Sequence, residues 1–361
     1  IINNPFHYEI ENLTRAFFNN EKMNVIKCDK NVNREKPFVA IELIKHEKDS
    51  DIIVSFADED FEKTLSKKID GEFDSEYSEC ERMAAIMLFE ILSEYTGIRL
   101  PWGILTGVRP IKLLHNLVRE LGTDGADKYF REKLLVTEQK TKLALTTEKN
   151  ERKILELSKP DSFSLYISVP FCPTRCSYCS FVSQSIEKAK KLVEPYLDLL
   201  CQEIKYTAEI AKELNLRLET VYIGGGTPTT FSAEQLTKLI TAINASFDMK
   251  KCREFTIEAG RPDTITREKL EAILDGGCDR ISINPQTLND EVLEAIGRRH
   301  TATQTLEAYK LAEEIGFKHI NMDLITGLPK DTPETFKYTL DTLCDLSLIH
   351  ISEPTRPISI S

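Results

Sequence analysis

The stretch Leu165-Tyr166-Ile167-Ser168-Val169-Pro170-Phe171-Cys172-Pro173-Thr174-Arg175-Cys176-Ser177-Tyr178-Cys179 decides how the whole chain is read. Its first five residues are an apolar run of strand length, and Pro170 closes the run. Three thiols follow at once, separated by three and then two residues, so they occupy a loop leaving the carboxyl end of a strand. In parallel α/β sheets that edge is where ligands bind. Three thiolates hold three irons of a cubane and leave the fourth iron open to a chelating ligand. The alternatives are a structural zinc site, a disulfide or buried thiols without a role. Zinc wants four ligands; the nearest further cysteine is Cys201, on a predicted helix, and no histidine lies near the loop in sequence. The spacing therefore favours an iron-sulfur cluster on Cys172, Cys176 and Cys179.

Working outward, short apolar runs alternate with helical patterns from residue 159 on, the rhythm of β/α units on a parallel sheet. Four more strands are predicted: Thr220-Val221-Tyr222-Ile223, Phe255-Thr256-Ile257-Glu258, Arg280-Ile281-Ser282-Ile283 and Ile320-Asn321-Met322-Asp323-Leu324-Ile325. The helices between them are punctuated. Ser232 to Gln235 fits a capping box, and Thr332-Pro333 supplies an N-cap followed by proline at the first helical position. Gly276-Gly277 and Gly316 stop two helices. After the cysteines, Leu197, Leu200, Ile204, Ala208 and Ala211 recur at helical spacing and predict one apolar stripe to lie on the sheet.

Residues 1–158 lack this alternation. Extended runs from Phe38 to Ile44 and from Asp51 to Phe56 precede mainly helical patterns, including one from Ser78 to Leu88. Gly103 to Pro110 reads as a loop before a further helix, and roughly 126–158 is charged and helical. An N-terminal α+β domain over 1–158 is expected, with Lys159-Pro160-Asp161-Ser162 as the break before a β/α domain over 159–344. The tail 345–361 has no strand-loop-helix sequel, reads as a non-native cloning scar, and would truncate the barrel after its fifth unit.

The 361 residues carry 47 Lys plus Arg against 58 Asp plus Glu, a formal charge of −11, which argues against nucleic acid as a general partner. No apolar run approaches the ~18–20 residues that span a bilayer, and no secretion signal precedes the nine cysteines. A cytoplasmic protein with no membrane partner and with reduced thiols or metal ligands is the expectation. The chain opens on Ile1, so it reads as a fragment at that end.

Polar residues interrupt the carboxyl ends of the predicted strands. Gly224-Gly225-Gly226-Thr227 follows the second, where glycines let a ligand approach the backbone, although a tight turn would also use them. Glu258 ends the third, Gln286 lies just past the fourth, and Asp323 lies toward the end of the fifth. A buried carboxylate is costly, so each is either paired structurally or held for a polar ligand.

Taken with the cysteine loop, the chain over about 163–344 resembles the radical S-adenosylmethionine superfamily. That resemblance implies a partial (β/α) barrel, here with five of about six units present. It also implies a [4Fe-4S] cluster whose open iron binds the amino and carboxylate groups of S-adenosylmethionine, and whose electron cleaves it to methionine and a 5'-deoxyadenosyl radical. Leu165-Tyr166-Ile167, Thr256-Ile257-Glu258, Asn284-Pro285-Gln286, Gly297-Arg298-Arg299 and Asn321 to Pro329 are similar to segments of the oxygen-independent coproporphyrinogen III oxidase family. The resemblance implies that Gly225, Gly226 and Thr227 cradle the methionine part. It further implies that Glu258, Gln286, Arg298 and Asp323 hold polar parts of the cofactor, and that Tyr166 lies beside the cluster. No side chain is implied as the catalytic group, because the radical abstracts the hydrogen.

Gly103 to Pro110 and Glu258-Ala259-Gly260-Arg261-Pro262-Asp263-Thr264 are similar to the HemZ-type branch of that family. Such a relative would take coproporphyrinogen III to protoporphyrinogen IX without oxygen, drawing on an unidentified electron donor. A haem-binding or haem-delivery role on the same barrel, or another radical substrate, are the other readings. Ser180, Phe181, Val182 and Ser183 stand where the characterised oxidase type has a further cysteine. Arg175, Arg261 and Arg299 are candidates to pair with substrate carboxylates, and solvated surface charge accounts for them equally well.

Overall fold

The computed structural model describes residues 1–19, 21–28, 34–71, 73, 76–107 and 109–346, which leaves Val108 and the tail call at 347–361 outside the described residues. The chain divides into two compact units, Ile1–Leu157 and the residues from Ser158 onward.

In the first unit a helix α1 (His7–Phe17) precedes three antiparallel strands, β1 (Phe38–Lys45), β2 (Asp49–Ala57) and β3 (Glu62–Asp70). The two extended runs expected here are β1 and β2. The third strand was not expected, because Glu62, Lys63, Lys67 and Lys68 mask its alternation. It is an edge strand, where lysines discourage further pairing. Helix α2 (Tyr77–Thr96) packs on β2, burying Leu88, Phe89, Ile91 and Leu92 completely, and ends at Gly97 in the left-handed conformation. Helices α3 (Pro110–Lys128) and α4 (Glu138–Leu155) pack together around Leu114, Phe130 and Ala144. Gly122, at φ 73 and ψ 173, kinks α3.

The second unit opens with β4 (Ser162–Val169), then a short parallel pair, β5 (Phe171–Cys172) and β6 (Gln184–Ser185). Helices α5 (Ile186–Ala189) and α6 (Val193–Glu213) lead to β7 (Arg217–Gly225), α7 (Ala233–Ser246), β8 (Glu254–Glu258), α8 (Arg267–Asp275) and β9 (Arg280–Ser282). Then come α9 (Asp290–Ala295), α10 (Ala302–Ile315), β10 (His319–Asn321) and α11 (Pro333–Asp345). Strands β4, β7, β8, β9 and β10 form one parallel sheet in that spatial order. Each strand thus lies beside its successor, as in an arc of a β/α barrel.

Alternation along these strands separates two chemistries. One face, bearing Ile167, Val169, Val221, Ile223, Phe255, Ile257, Ile281 and Ile320, shares a buried core with helices α6, α7, α8, α10 and α11. Leu197, Leu200, Ile204 and Ala211 of α6 are buried there as the stripe predicts, whereas Ala208 is only partly covered. The other face carries a polar ladder across the strands. Thr220 Oγ1 donates to Ser164 Oγ at 2.8 Å, Arg280 donates to Glu254 at 3.0 Å, and Asn321 Nδ2 donates to Ser282 Oγ at 3.1 Å.

Helix ends follow the caps. Ser232, Thr301 and Thr332 each form a capping box, and Gly316 at φ 114 terminates α10. The fifth strand is shorter than predicted. Its ladder stops at Asn321, and beyond it Asp323 N donates to the Asn284 side chain at 3.2 Å while Ile325 N donates to Gln286 O at 3.1 Å. Asp323 therefore sits in the loop past the strand and not within it. Among the described residues no helix is long and apolar enough to cross a membrane.

Two substitutions probe this packing. Ile257→Ala, at a position with no exposed surface, is expected to cost about 2–5 kcal/mol in urea unfolding, and Ser232→Ala about 1 kcal/mol through the lost cap.

Candidate active site

The thiols, the glycine loop, Glu258, Gln286 and Asp323 lie at or just beyond the carboxyl ends of the five parallel strands, whereas Tyr166 lies within β4 and Arg298 follows α9. The three thiols follow β4, the glycine loop closes β7, Glu258 is the last residue of β8, Gln286 follows β9 and Asp323 follows β10. The sheet positions all of them, because a parallel arrangement brings every carboxyl end to one edge.

The cysteine loop is held from outside itself. Within it, Cys179 N donates to Cys176 O at 3.1 Å. Ser177 N reaches Ile296 O at 3.1 Å, and Thr174 Oγ1 donates to Gly297 O at 2.6 Å, which ties the loop to the turn after α9. On the other side Gly226 N donates to Val169 O at 2.8 Å, Thr227 N to Phe171 O at 2.7 Å, and Thr227 Oγ1 lies 3.5 Å from Cys172 Sγ.

These contacts explain the glycines. Gly225 has φ +100, and a Cβ there would lie 2.5 Å from Ser168 Oγ. A Cβ on Gly226 would lie 2.7 Å from Phe171 O, 2.8 Å from Val169 O and 3.0 Å from Cys172 Sγ. The glycine loop is thus packed directly against the cysteine loop.

The three thiols do not converge on one point: among the described residues no group of three His, Cys, Asp or Glu side chains is gathered to hold a single metal ion. A cubane makes no such demand, because each cysteine takes its own iron. An all-thiol donor set with Cys172 and Cys179 partly exposed and Cys176 buried suits it.

The polar shell is asymmetric. Glu258 is largely buried and accepts a hydrogen bond from Tyr222 OH. Burial raises its carboxyl above the ordinary range and the nearby Asp323 raises it further, against the opposing hydrogen bond from Tyr222. Asp323 accepts from Asn321 Nδ2 at 2.9 Å. Gln286 adopts φ 68, and its Oε1 is buried without a hydrogen-bond partner. Arg298 is 8 % exposed; it donates to Gly260 O at 3.2 Å, to Asn284 O and to Tyr178 OH at 3.1 Å, while its Nε has no partner. Two orphaned buried polar atoms at one sheet edge suit a polar ligand, since leaving each unmade costs about 1–3 kcal/mol.

Tyr166 lies lower. It is 56 % exposed on the polar face, paired in register with Tyr222, and their rings stack at 5.8 Å and 9°. Two residues here escaped the sequence reading. Tyr222 was legible from alternation, since it shares its face with Thr220 and Gly224. Tyr178, flanked by two cysteines, links the loop to Arg298 and carries a phenol that burial holds well above its usual range.

Of the three arginines considered for substrate carboxylates, Arg175 is exposed and Arg299 pairs with Glu187 at the surface, 3.2 Å away. Arg261 does not fit that role: it is 3 % exposed and is bound by Asp263.

A family model described as the radical SAM superfamily matches residues 166–343. The chain is 38% identical over 296 residues to the oxygen-independent coproporphyrinogen-III oxidase-like protein HemZ of Bacillus subtilis, covering 78% of this chain and 59% of that protein. It is 40% identical over 193 residues to the heme chaperone HemW of the same organism, covering 52% and 49% respectively. The solved structure of coproporphyrinogen III oxidase HemN from Escherichia coli aligns with TM-score 0.48 and 31% identity over 54% of this chain and 44% of that one. The chain thus spans about half to three-fifths of the length of these curated relatives. It belongs to the radical S-adenosylmethionine superfamily, whose members use a [4Fe-4S] cluster and S-adenosylmethionine, and within it to the group that holds the HemZ and HemW proteins.

Proposed function

We propose that Cys172, Cys176 and Cys179 hold the [4Fe-4S] cluster and that the sheet edge beside them binds S-adenosylmethionine. The pair supplies, when bound, a radical able to abstract hydrogen from a carbon centre. The single observation that carries this assignment is the packing of the glycine loop on the cysteine loop, with Cys172 Sγ within 3.0 Å of where a Gly226 Cβ would stand.

The chain's own residues divide the work. Gly225, Gly226 and Thr227 leave backbone open beside the thiols. Glu258 and Asp323 offer acceptors to hydroxyl or ammonium groups of the cofactor, Gln286 Oε1 adds an unpartnered acceptor, and Arg298 Nε an unpartnered donor. Tyr222 orients Glu258, and its stacking on Tyr166 floors the site with aromatic surface.

For the reaction, we propose oxygen-independent oxidative decarboxylation of coproporphyrinogen III to protoporphyrinogen IX, on the support of the likeness to HemZ. A haem-delivery role is the second reading, favoured by the likeness to HemW and by Ser180 to Ser183 standing where the oxidase type carries another cysteine. Incubating the full-length protein anaerobically with reductant, S-adenosylmethionine and coproporphyrinogen III is expected to yield the divinyl product. Cofactor cleavage without decarboxylation would reject the oxidase reading, and tight haem binding without turnover would select haem delivery.

Two variants test the cofactor site. Gly226→Ala is expected to lower iron and sulfide content after anaerobic reconstitution, because its Cβ would press on Phe171 O and Val169 O, backbone atoms unable to yield cheaply. Glu258→Gln is expected to weaken S-adenosylmethionine binding about 10- to 100-fold in equilibrium titration. The same change should raise the apo protein's thermal midpoint. Below the ordinary carboxyl range both states are protonated at this position, so wild type and variant match. As pH rises toward and past the elevated folded-state value, only the wild type must bury an ionised carboxylate, and the variant's advantage opens.

A further inference from the structure

Arg261 stands in the turn after β8 with its guanidinium turned onto the cysteine loop. It donates to Thr174 Oγ1 at 3.1 Å and to Thr174 O at 3.4 Å, and the same nitrogen lies 3.9 Å from Cys176 Sγ. Its other two nitrogens are gripped by the two oxygens of Asp263 at 3.2 and 3.3 Å, the bidentate fork that fixes an arginine in one orientation. Keeping a charge this deeply buried is expensive unless it is paired and hydrogen-bonded, and here the partners beyond Asp263 all belong to the cluster loop. His300, whose side chain is fully buried, lies 3.8 Å from Asp263. Burial, with Arg298 next, pushes it down to about 4, so it contributes no charge at neutral pH.

Hydrogen bonds and positive charge near cluster sulfurs favour the reduced, more negative state and raise the reduction potential. A lysine would bring the charge without the fork, and a neutral donor would bring the hydrogen bond without the charge. We infer that Arg261, held by Asp263, tunes the cluster through Cys176 Sγ and sets how strong an electron donor the protein requires. Arg261 is in this role a positioning and tuning residue and not a substrate ligand. The inference rests on the assignment of Cys172, Cys176 and Cys179 to the cluster.

The test is a redox titration of the anaerobically reconstituted full-length protein, followed by electron paramagnetic resonance. Arg261→Gln, which removes the charge and leaves a shorter, neutral donor, is expected to shift the midpoint negative at unchanged iron content. Asp263→Asn, which leaves the guanidinium uncompensated, is expected to shift it positive. Arg267→Gln, which removes an exposed surface charge on α8, should leave it in place. Opposite shifts are a signature that a merely structural clamp would not produce. Midpoints equal to wild type in variants that retain the cluster overturn the inference. If Arg261→Gln fails to assemble a cluster, the sign of the Asp263→Asn shift decides alone. A wild-type protein that assembles no cluster would overturn both this inference and the cysteine assignment beneath it.

Discussion

Parallel pairing of β7 with β4 on one side and β8 on the other aligns Tyr166, Tyr222 and Thr256 in one row, and the β8 to β9 pairing sets Glu258 level with Ser282. Everything at the site depends on that register. A slip of one residue would turn Tyr222 and Glu258 into the helix-covered core and Val221 and Ile257 out of it. The magnitudes show which effect holds the register. Each buried Val, Ile or Phe side chain contributes about 1.5–3 kcal/mol, whereas a hydrogen bond such as Thr220 to Ser164 nets about 1 kcal/mol. The apolar face sets the alignment, and the polar ladder is arranged by it.

The cysteine loop shows the complementary situation. It has little internal bonding and is shaped by segments far away in sequence, with Gly226 and Thr227 on one flank and Ile296 and Gly297 on the other. A loop so constrained is rigid without being stable by itself, which suits a metal centre whose thiols must stay at fixed spacing. The surrounding shell is strained in the opposite sense. A buried carboxylate raised by desolvation, a glutamine at positive φ and two orphaned polar atoms all cost stability in the free protein. A polar ligand that satisfied them would recover that cost, the usual economy of a binding site.

Much of this was legible before any coordinates. The strand-loop-helix rhythm, the capping residues at Ser232 and Thr332 and most of the α6 stripe are local patterns, and each has its counterpart in the structure. Less legible were β3, hidden by edge lysines, and the early end of β10, beyond which the Asp323 amide is taken by the Asn284 side chain. Tyr222 was within reach of a period-two reading. Arg261 was not, because its chemistry depends on which loop lies across from it.

By itself the sequence determined the alternation of strands and helices in the second unit, the place of the three thiols in the loop after β4 and the side on which polar residues emerge, since propensity, capping and alternation act over a few neighbours. Only the tertiary structure decided which of those polar groups meet. It brought Gly226 onto Cys172, Tyr222 onto Glu258, and Arg261 onto Cys176 across 85 positions of chain. Those contacts follow from strand register and helix packing, which are set by burial summed over the whole sheet and carry no local signature at either partner.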